Sequence, residues 1–184
     1  MAITASWIHG NAVVVEDPPS DPQVFSMTHY GWGTVVRIRP DNSLWLHIPI
    51  PTPVIVDDQR LKLVSVFLLW RVASGKGILT GLDLWDGARK ITGPTVNGVV
   101  MRPFESPWDL RDVYLSSGDY LSFEKGKFDL AMPAVSYAGF NLSFKLSAVW
   151  PDAGAGRIPD VWTKAEFHVC AAGGDFVPTG PAPP

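Results

Sequence analysis

Apolar and polar residues alternate along much of this chain with the two-residue period of a β-strand. The clearest alternation covers residues 140–150. One face of that segment consists of Phe140, Leu142, Phe144, Leu146, Ala148 and Trp150, and the other of Asn141, Ser143, Lys145 and Ser147. Such a pattern predicts a strand with one buried and one wet face. Residues 161–170 alternate in the same way, and we predict that they pair with 140–150.

The segment 61–72 is different, because it is largely apolar on both faces. Val64, Val66, Leu68, Trp70 and Val72 fall on one face, with Lys62 at its start. A strand of this kind is typical of the centre of a covered sheet or of a contact between chains. Val66, Leu68 and Trp70 are therefore our candidate interface residues for a homo-oligomer.

Shorter apolar segments predict further strands. They lie at 3–9, 32–39, 44–50, 77–85, 98–102 and 128–132, with 12–15 as a continuation of the first. Groups of Gly, Pro, Asp and Asn separate the strands and predict turns, at 17–22, 40–43, 86–87 and 151–156. The pairs Gly31/Gly33 and Gly173/Gly174 are interpreted as turns or bulges.

These elements predict an all-β protein. No segment of a dozen residues has a helical period, and residues 108–115 are either a short helix or a turn. We expect a single antiparallel β-sandwich, jelly-roll-like, of about eight to ten strands. It covers residues 1–176, and residues 177–184 are expected to be a disordered proline-rich tail.

Composition agrees with this fold and excludes some functions. The chain has 184 residues, with 17 glycines and 17 prolines, which favours one domain rich in turns. Its 15 basic and 18 acidic residues give a net charge of −3 without a basic cluster, so we expect no nucleic acid as partner. We also expect no membrane span.

The first residues of the chain and its cysteine content predict the cellular location of the protein. The first residues lack the basic and apolar regions of a signal peptide. The single cysteine, Cys170, excludes an intramolecular disulfide. We therefore expect a cytoplasmic protein, and export without a cleavable signal stays open.

Four sequence blocks carry a resemblance to a known family. They are 6–11 (SWIHGN), 29–33 (HYGWG), 45–54 (WLHIPIPTPV) and 171–176 (AAGGDF). Together they resemble a bacterial single-domain family that is classed as a domain of unknown function. The resemblance covers most of the chain up to Phe176. It implies a compact microbial domain, and it provides no catalytic residue.

Histidines and carboxylates do not show the spacing of an established catalytic or metal site. His9, His29, His47 and His168 are separate in the sequence, and none belongs to a compact ligand motif. His168 and Cys170 share a strand face and are the one candidate pair of base and nucleophile. We assign no catalytic residue and no metal ligand.

Paired carboxylates in the sequence suggest a calcium site as an alternative to a protein without a cofactor. They occur in pairs at 57/58, 83/86 and 109/112. Calcium takes about six to eight oxygen ligands, usually from several loops. None of the pairs has the dense spacing of a calcium loop, so we expect no cofactor and keep calcium as the alternative.

Tryptophan is the residue that most exceeds its usual frequency, with 8 copies. Indole rings stack on the apolar faces of sugars and anchor interfaces. Trp45, Trp85 and Trp162 fall on the more polar faces of their predicted strands, in the company of His47 and Asp83. We expect these five residues to form a ligand-binding surface.

The predicted function is a non-catalytic binding module that recognises carbohydrate or another small amphipathic ligand through exposed tryptophans and polar loop groups. Two alternatives stay open. One is a homo-oligomeric structural or assembly protein that uses the apolar strand 61–72. The other, which we favour less, is a β-fold enzyme of the isomerase or cyclase type with an internal pocket and a titratable group of perturbed pKa.

Overall fold

The computed structural model describes residues 3–53, 55–91, 124–150 and 164–180. Within these ranges a single short 3-10 helix, Gly10–Ala12, accompanies the strands. The strands are β1 (Thr4–His9), β2 (Val14–Val15), β3 (Phe25–Tyr30), β4 (Gly33–Ile38), β5 (Ser43–Ile50), β6 (Ile55–Val56), β7 (Gln59–Ser74), β8 (Lys76–Asp86), β9 (Arg89–Lys90), β10 (Glu124–Val135), β11 (Phe140–Val149) and β12 (Ala165–Pro178).

The described strands form two antiparallel sheets. Sheet I has the order β10-β7-β12-β4-β3, with β1 paired to β12 and β6 paired to β7. Sheet II has the order β2-β5-β11-β8-β9. The sheets pack face to face, so the predicted all-β sandwich is confirmed. No helix in the described part of the chain is long and apolar enough to cross a membrane.

The inner faces of the two sheets form one core. Alternate residues of β5 and β11 point into it, as the alternation predicts. Side chains without exposed surface come from both sheets, among them Val36, Ile38, Leu46, Ile48, Leu63, Leu68, Leu142, Phe144, Leu146 and Phe167. Burial of this apolar area is the main contribution to stability. The outer faces are therefore the places where polar chemistry is concentrated.

The predicted pairing of 140–150 with 161–170 is wrong. β11 lies between β5 and β8 in sheet II, whereas β12 lies between β7 and β4 in sheet I. Each sheet of a sandwich has one inner and one outer face. Alternation is consequently the same in both sheets and does not indicate which strands pair.

The predicted interface on β7 is also corrected. Val66, Leu68 and Trp70 belong to the core, with exposed fractions of 0%, 0% and 4%. On the outer face of the same strand, Phe67 is covered by Trp7 of β1, with ring centroids 3.9 Å apart. The strand is apolar on both faces because the chain itself covers both.

The C-terminal strand is longer than predicted. Val177 and Pro178 pair with Lys62 and Leu61 of β7, and the Thr179 N–H donates to the Arg60 carbonyl. The disordered tail therefore does not begin at 177, and residues 181–184 lie outside the described residues. The predictions made for 98–102, 108–115 and 151–156 lie outside them as well.

Candidate functional site

Four of the five predicted ligand residues lie on the outer face of sheet II. Ser143, in the central strand β11, pairs with His47 of β5 on one side and with Asp83 of β8 on the other. Trp45 and Trp85 belong to the same outer faces of β5 and β8, two residues away from His47 and Asp83. We call Ser143 together with these four predicted residues, Trp45, His47, Asp83 and Trp85, the aromatic-polar face. Trp162 lies outside the described residues.

His47 is held by hydrogen bonds at both ring nitrogens. Nδ1 lies 2.7 Å from Ser143 Oγ, and Nε2 lies 3.1 Å from Glu16 Oε2. Because a carboxylate only accepts, the neutral ring carries its proton on Nε2, and Nδ1 accepts from the Ser143 hydroxyl. The imidazole, 29% exposed, is thus fixed in one orientation on the sheet.

Ser143, His47 and Glu16 are connected by hydrogen bonds in the same order as the residues of a Ser-His-acid hydrolase triad. Ser143, however, has only 2% of its surface exposed and lies in the middle of the sheet, between two paired strands. A substrate carbonyl has no approach to such a hydroxyl. The arrangement therefore orients His47 and does not provide a nucleophile.

The Trp45 indole reaches across β11 and rests on Gly81 of β8. A Cβ atom built on Gly81 would lie 2.7 Å from Cη2 of Trp45 and 3.1 Å from Cβ of Lys145. Any side chain at position 81 would therefore displace the ring. Because Gly81 has no side chain, the half-buried Trp45 ring packs directly on the backbone of the sheet.

Trp85 stands at the other end of the face, beside a charge pair. Lys90 of β9 is opposite Trp85 in register. Its Nζ lies 2.8 Å from Asp83 Oδ2 and 5.7 Å from the centre of the Trp85 ring, which is within the range of a cation–π contact. Lys90 therefore orients the indole and balances the charge of Asp83.

The two carboxylate pairs within the described ranges, 83/86 and 57/58, do not converge on a metal, and the pair 109/112 lies outside those ranges. Asp83 and Asp86 are three residues apart on β8, and the Asp86 carboxylate bonds to the turn 136–139. Asp57 and Asp58 form the hairpin turn between β6 and β7, both with positive φ. Among the described residues no three His, Cys, Asp or Glu side chains are grouped closely enough to hold a metal ion. The expectation of no cofactor, with calcium as its alternative, stays a prediction.

A second polar cluster, which sequence reasoning missed, lies on the outer face of sheet I. Glu166 of β12 accepts a hydrogen bond from Arg37 Nε at 2.8 Å and lies 2.7 Å from His168 Nε2. Arg71 Nε–H donates to His168 Nδ1 at 3.1 Å. We call these four residues the Glu166 network. Trp32 covers it, with its ring 4.8 Å from that of His168.

Burial and charge shift two pKa values in the Glu166 network. Burial alone would raise the pKa of Glu166, but the hydrogen bond to His168 and the charge of Arg37 outweigh it and lower that pKa. Burial lowers the pKa of His168, and the positive charge of Arg71 adds to this effect. The neutral imidazole then donates from Nε2 to Glu166 and accepts at Nδ1 from Arg71.

The pairing of His168 with Cys170 as base and nucleophile is not supported. Both ring nitrogens of His168 are engaged, with Glu166 and Arg71. Burial also raises the pKa of the Cys170 thiol, although the charge of Arg71 opposes the change. The thiol therefore stays protonated near neutral pH and is a poor nucleophile.

The Glu166 network makes stability depend on pH. A group with a lowered pKa in the folded state stabilises the fold above its unfolded pKa and loses that contribution as the pH falls. For His168 the loss begins below about pH 6.5, and for Glu166 below about pH 4.3. We expect the free energy of unfolding, measured by urea denaturation, to decrease between pH 7 and pH 5, and His168→Gln to reduce that slope.

The exposed His9 of β1 provides the control for this prediction, because its Nδ1 accepts the Asn11 N–H and no bond to the Glu166 network is involved. His9→Gln should change the slope between pH 7 and pH 5 less than His168→Gln does. An equal slope in His168→Gln and wild type would contradict the assigned role of His168.

Comparison of the chain with models of known protein families gives no match, and comparison with functionally characterised proteins gives none. The resemblance to a bacterial domain of unknown function stays a prediction. The site is therefore interpreted from its own geometry and chemistry.

Proposed function

We propose that the protein is a non-catalytic binding module and that its aromatic-polar face binds carbohydrate. The observation that carries this proposal is the placement of two half-buried indole rings, Trp45 and Trp85, on either side of a polar row on one sheet face. A sugar ring offers a C–H face that packs on an aromatic ring and hydroxyl groups that need donors and acceptors. The face provides both kinds of partner.

Preorganisation supports the same proposal. His47 is held by Ser143 and Glu16, and Asp83 is held by Lys90. Side chains that are already ordered lose little conformational entropy when a ligand binds. The negative charges of Glu16 and Asp83 oppose the positive charges of Lys90 and Lys145, so the face is close to neutral, which favours a neutral polyhydroxylated ligand over a strongly charged one.

The test is the removal of each indole. We expect Trp45→Ala and Trp85→Ala each to weaken binding to a retained glycan by about tenfold or more, since an aromatic anchor at the centre of a contact contributes more than about 1.4 kcal/mol. Binding would be found on a glycan array and measured by isothermal titration calorimetry. Far-ultraviolet circular dichroism would confirm that each variant is folded.

Trp7 is the matched control. It is 45% exposed but lies on sheet I, away from the aromatic-polar face. Trp7→Ala should bind the same glycan as tightly as the wild type. Unchanged affinity in both Trp45→Ala and Trp85→Ala, or no glycan bound at all by the native protein, would refute the proposal.

A further inference from the structure

The positions of the two indole rings carry information about the length and direction of the ligand. The Trp45 ring rests on Gly81, and Trp85 lies four residues further along the same strand, β8. At about 3.3 Å per residue the two stacking positions are about 13 Å apart. That distance is too long for one sugar ring to contact both.

The residues between the two rings supply a middle position. Residues 81, 83 and 85 share the outer face of β8, at intervals of about 6.6 Å, which is comparable with the length of one pyranose unit in an extended chain. Asp83 is at the middle interval. Its carboxylate, 14% exposed, is held at 2.8 Å by Lys90.

We infer that the ligand is an extended oligosaccharide of at least three sugar units that lies parallel to β8. This inference rests on the proposed function and deepens it. The terminal units stack on Trp45 and Trp85, and the middle unit directs its hydroxyl groups at Asp83 and at the exposed edge of His47. Two separated stacking positions act together only when one ligand spans both.

Gly81 is the positioning residue of this arrangement. It contacts no ligand itself, but it holds the Trp45 ring in the line of β8 because a Cβ there would lie 2.7 Å from the indole. Gly81→Val keeps the tryptophan and changes only its position. We expect this variant to bind a mono- or disaccharide like the wild type and to lose the additional affinity for longer chains.

The experiment uses three homologous series of linear β-1,4-linked oligosaccharides, built from glucose, xylose and N-acetylglucosamine, with one to six units each. Isothermal titration calorimetry on the full chain measures the affinity for each member. We expect at least one series in which affinity rises by about tenfold or more between two and four units and then levels off. In Gly81→Val that rise should disappear.

Gly31→Val is the control, because a Cβ added at Gly31 meets no atom within 4 Å, and this variant should keep the rise. Should Gly81→Val not fold, Trp45→Ala takes its place. Affinity independent of length in every series that binds, or no binding to any of the three series, would overturn the inference. The proposed function would still stand if the glycan array retained branched or α-linked sugars, so the two failures are distinguishable.

Discussion

Replacement of Asp86 by alanine is expected to reduce the free energy of unfolding by about 3 to 5 kcal/mol. The Asp86 side chain is only 1% exposed. Its carboxylate accepts hydrogen bonds from the backbone N–H groups of Tyr137, Ala138 and Gly139 and from the Ser136 hydroxyl. Alanine would leave these donors without their acceptor, and an unsatisfied buried donor is costly.

The position of this carboxylate explains the size of the effect. Residues 136–139 connect β10 of sheet I to β11 of sheet II. Asp86, at the end of β8, therefore fixes the conformation of the segment that links the two sheets. Burial would raise the pKa of Asp86, but the three backbone hydrogen bonds outweigh it and lower the pKa. Its contribution to stability is therefore present above about pH 3.9 and lost as the pH falls further.

Urea denaturation at pH 7 measures the loss. Asp86→Asn should recover a part of it, because the amide keeps one oxygen acceptor but no charge. Asp57→Asn is the control. Asp57 is exposed in a turn with φ of 51°, a conformation that asparagine also tolerates. A loss in Asp86→Ala no greater than that in the control would contradict this account.

The sequence predicts which side chains of a strand face the core and which face outwards, but it does not predict which strands pair with one another. Alternation over 140–150 identified the inner face of β11 and the polar outer face that includes Ser143. It did not identify β5 and β8 as the partners, because pairing depends on contacts between residues far apart in the chain. The four predicted ligand residues were consequently assigned to the outer face correctly, but the distances between them could not be predicted.

Two of the strand segments that the sequence did not predict, β3 and the second half of β12, were missed for different physical reasons. In β3, Phe25 and Met27 pack against the core, but an alternation of four residues is too short to distinguish from a loop. In the second half of β12, Gly173 and Gly174 resemble a turn. Gly173 nevertheless pairs within β12, and it is glycine because a Cβ there would lie 2.3 Å from the Ser6 carbonyl oxygen and 2.5 Å from the Phe67 ring.

The Glu166 network could not be predicted at all. Glu166 and His168 share one strand face, which the sequence does indicate. Arg37 and Arg71 come from β4 and β7, which become neighbours only because both pair with β12. The chemistry of such a cluster depends on the topology of the sheet and has no signal in the local sequence.

Two of the blocks that carry the family resemblance meet at β12, and packing explains why they contain glycine. Gly10, from SWIHGN, and Gly33, from HYGWG, both lie against the Val169 carbonyl oxygen, at 2.1 Å and 2.4 Å from a Cβ built on each. The Gly10 carbonyl also accepts a hydrogen bond from the Thr34 hydroxyl at 2.9 Å. The backbones of the 3-10 helix, of the start of β4 and of β12 thus approach more closely than any side chain permits.

Gly10→Ala should therefore destabilise the protein by about 3 kcal/mol, near the upper end of the cost of overpacking, since the opposing atom is a backbone oxygen that cannot rotate away. Gly31→Ala, in the HYGWG block, meets no atom within 4 Å and should stay within about 0.5 kcal/mol of the wild type. Urea denaturation of both variants measures the difference. Equal stability of the two would refute a packing role for Gly10. The expected difference would mean that Gly10 stabilises the packing of the chain after β1 against β12 in sheet I.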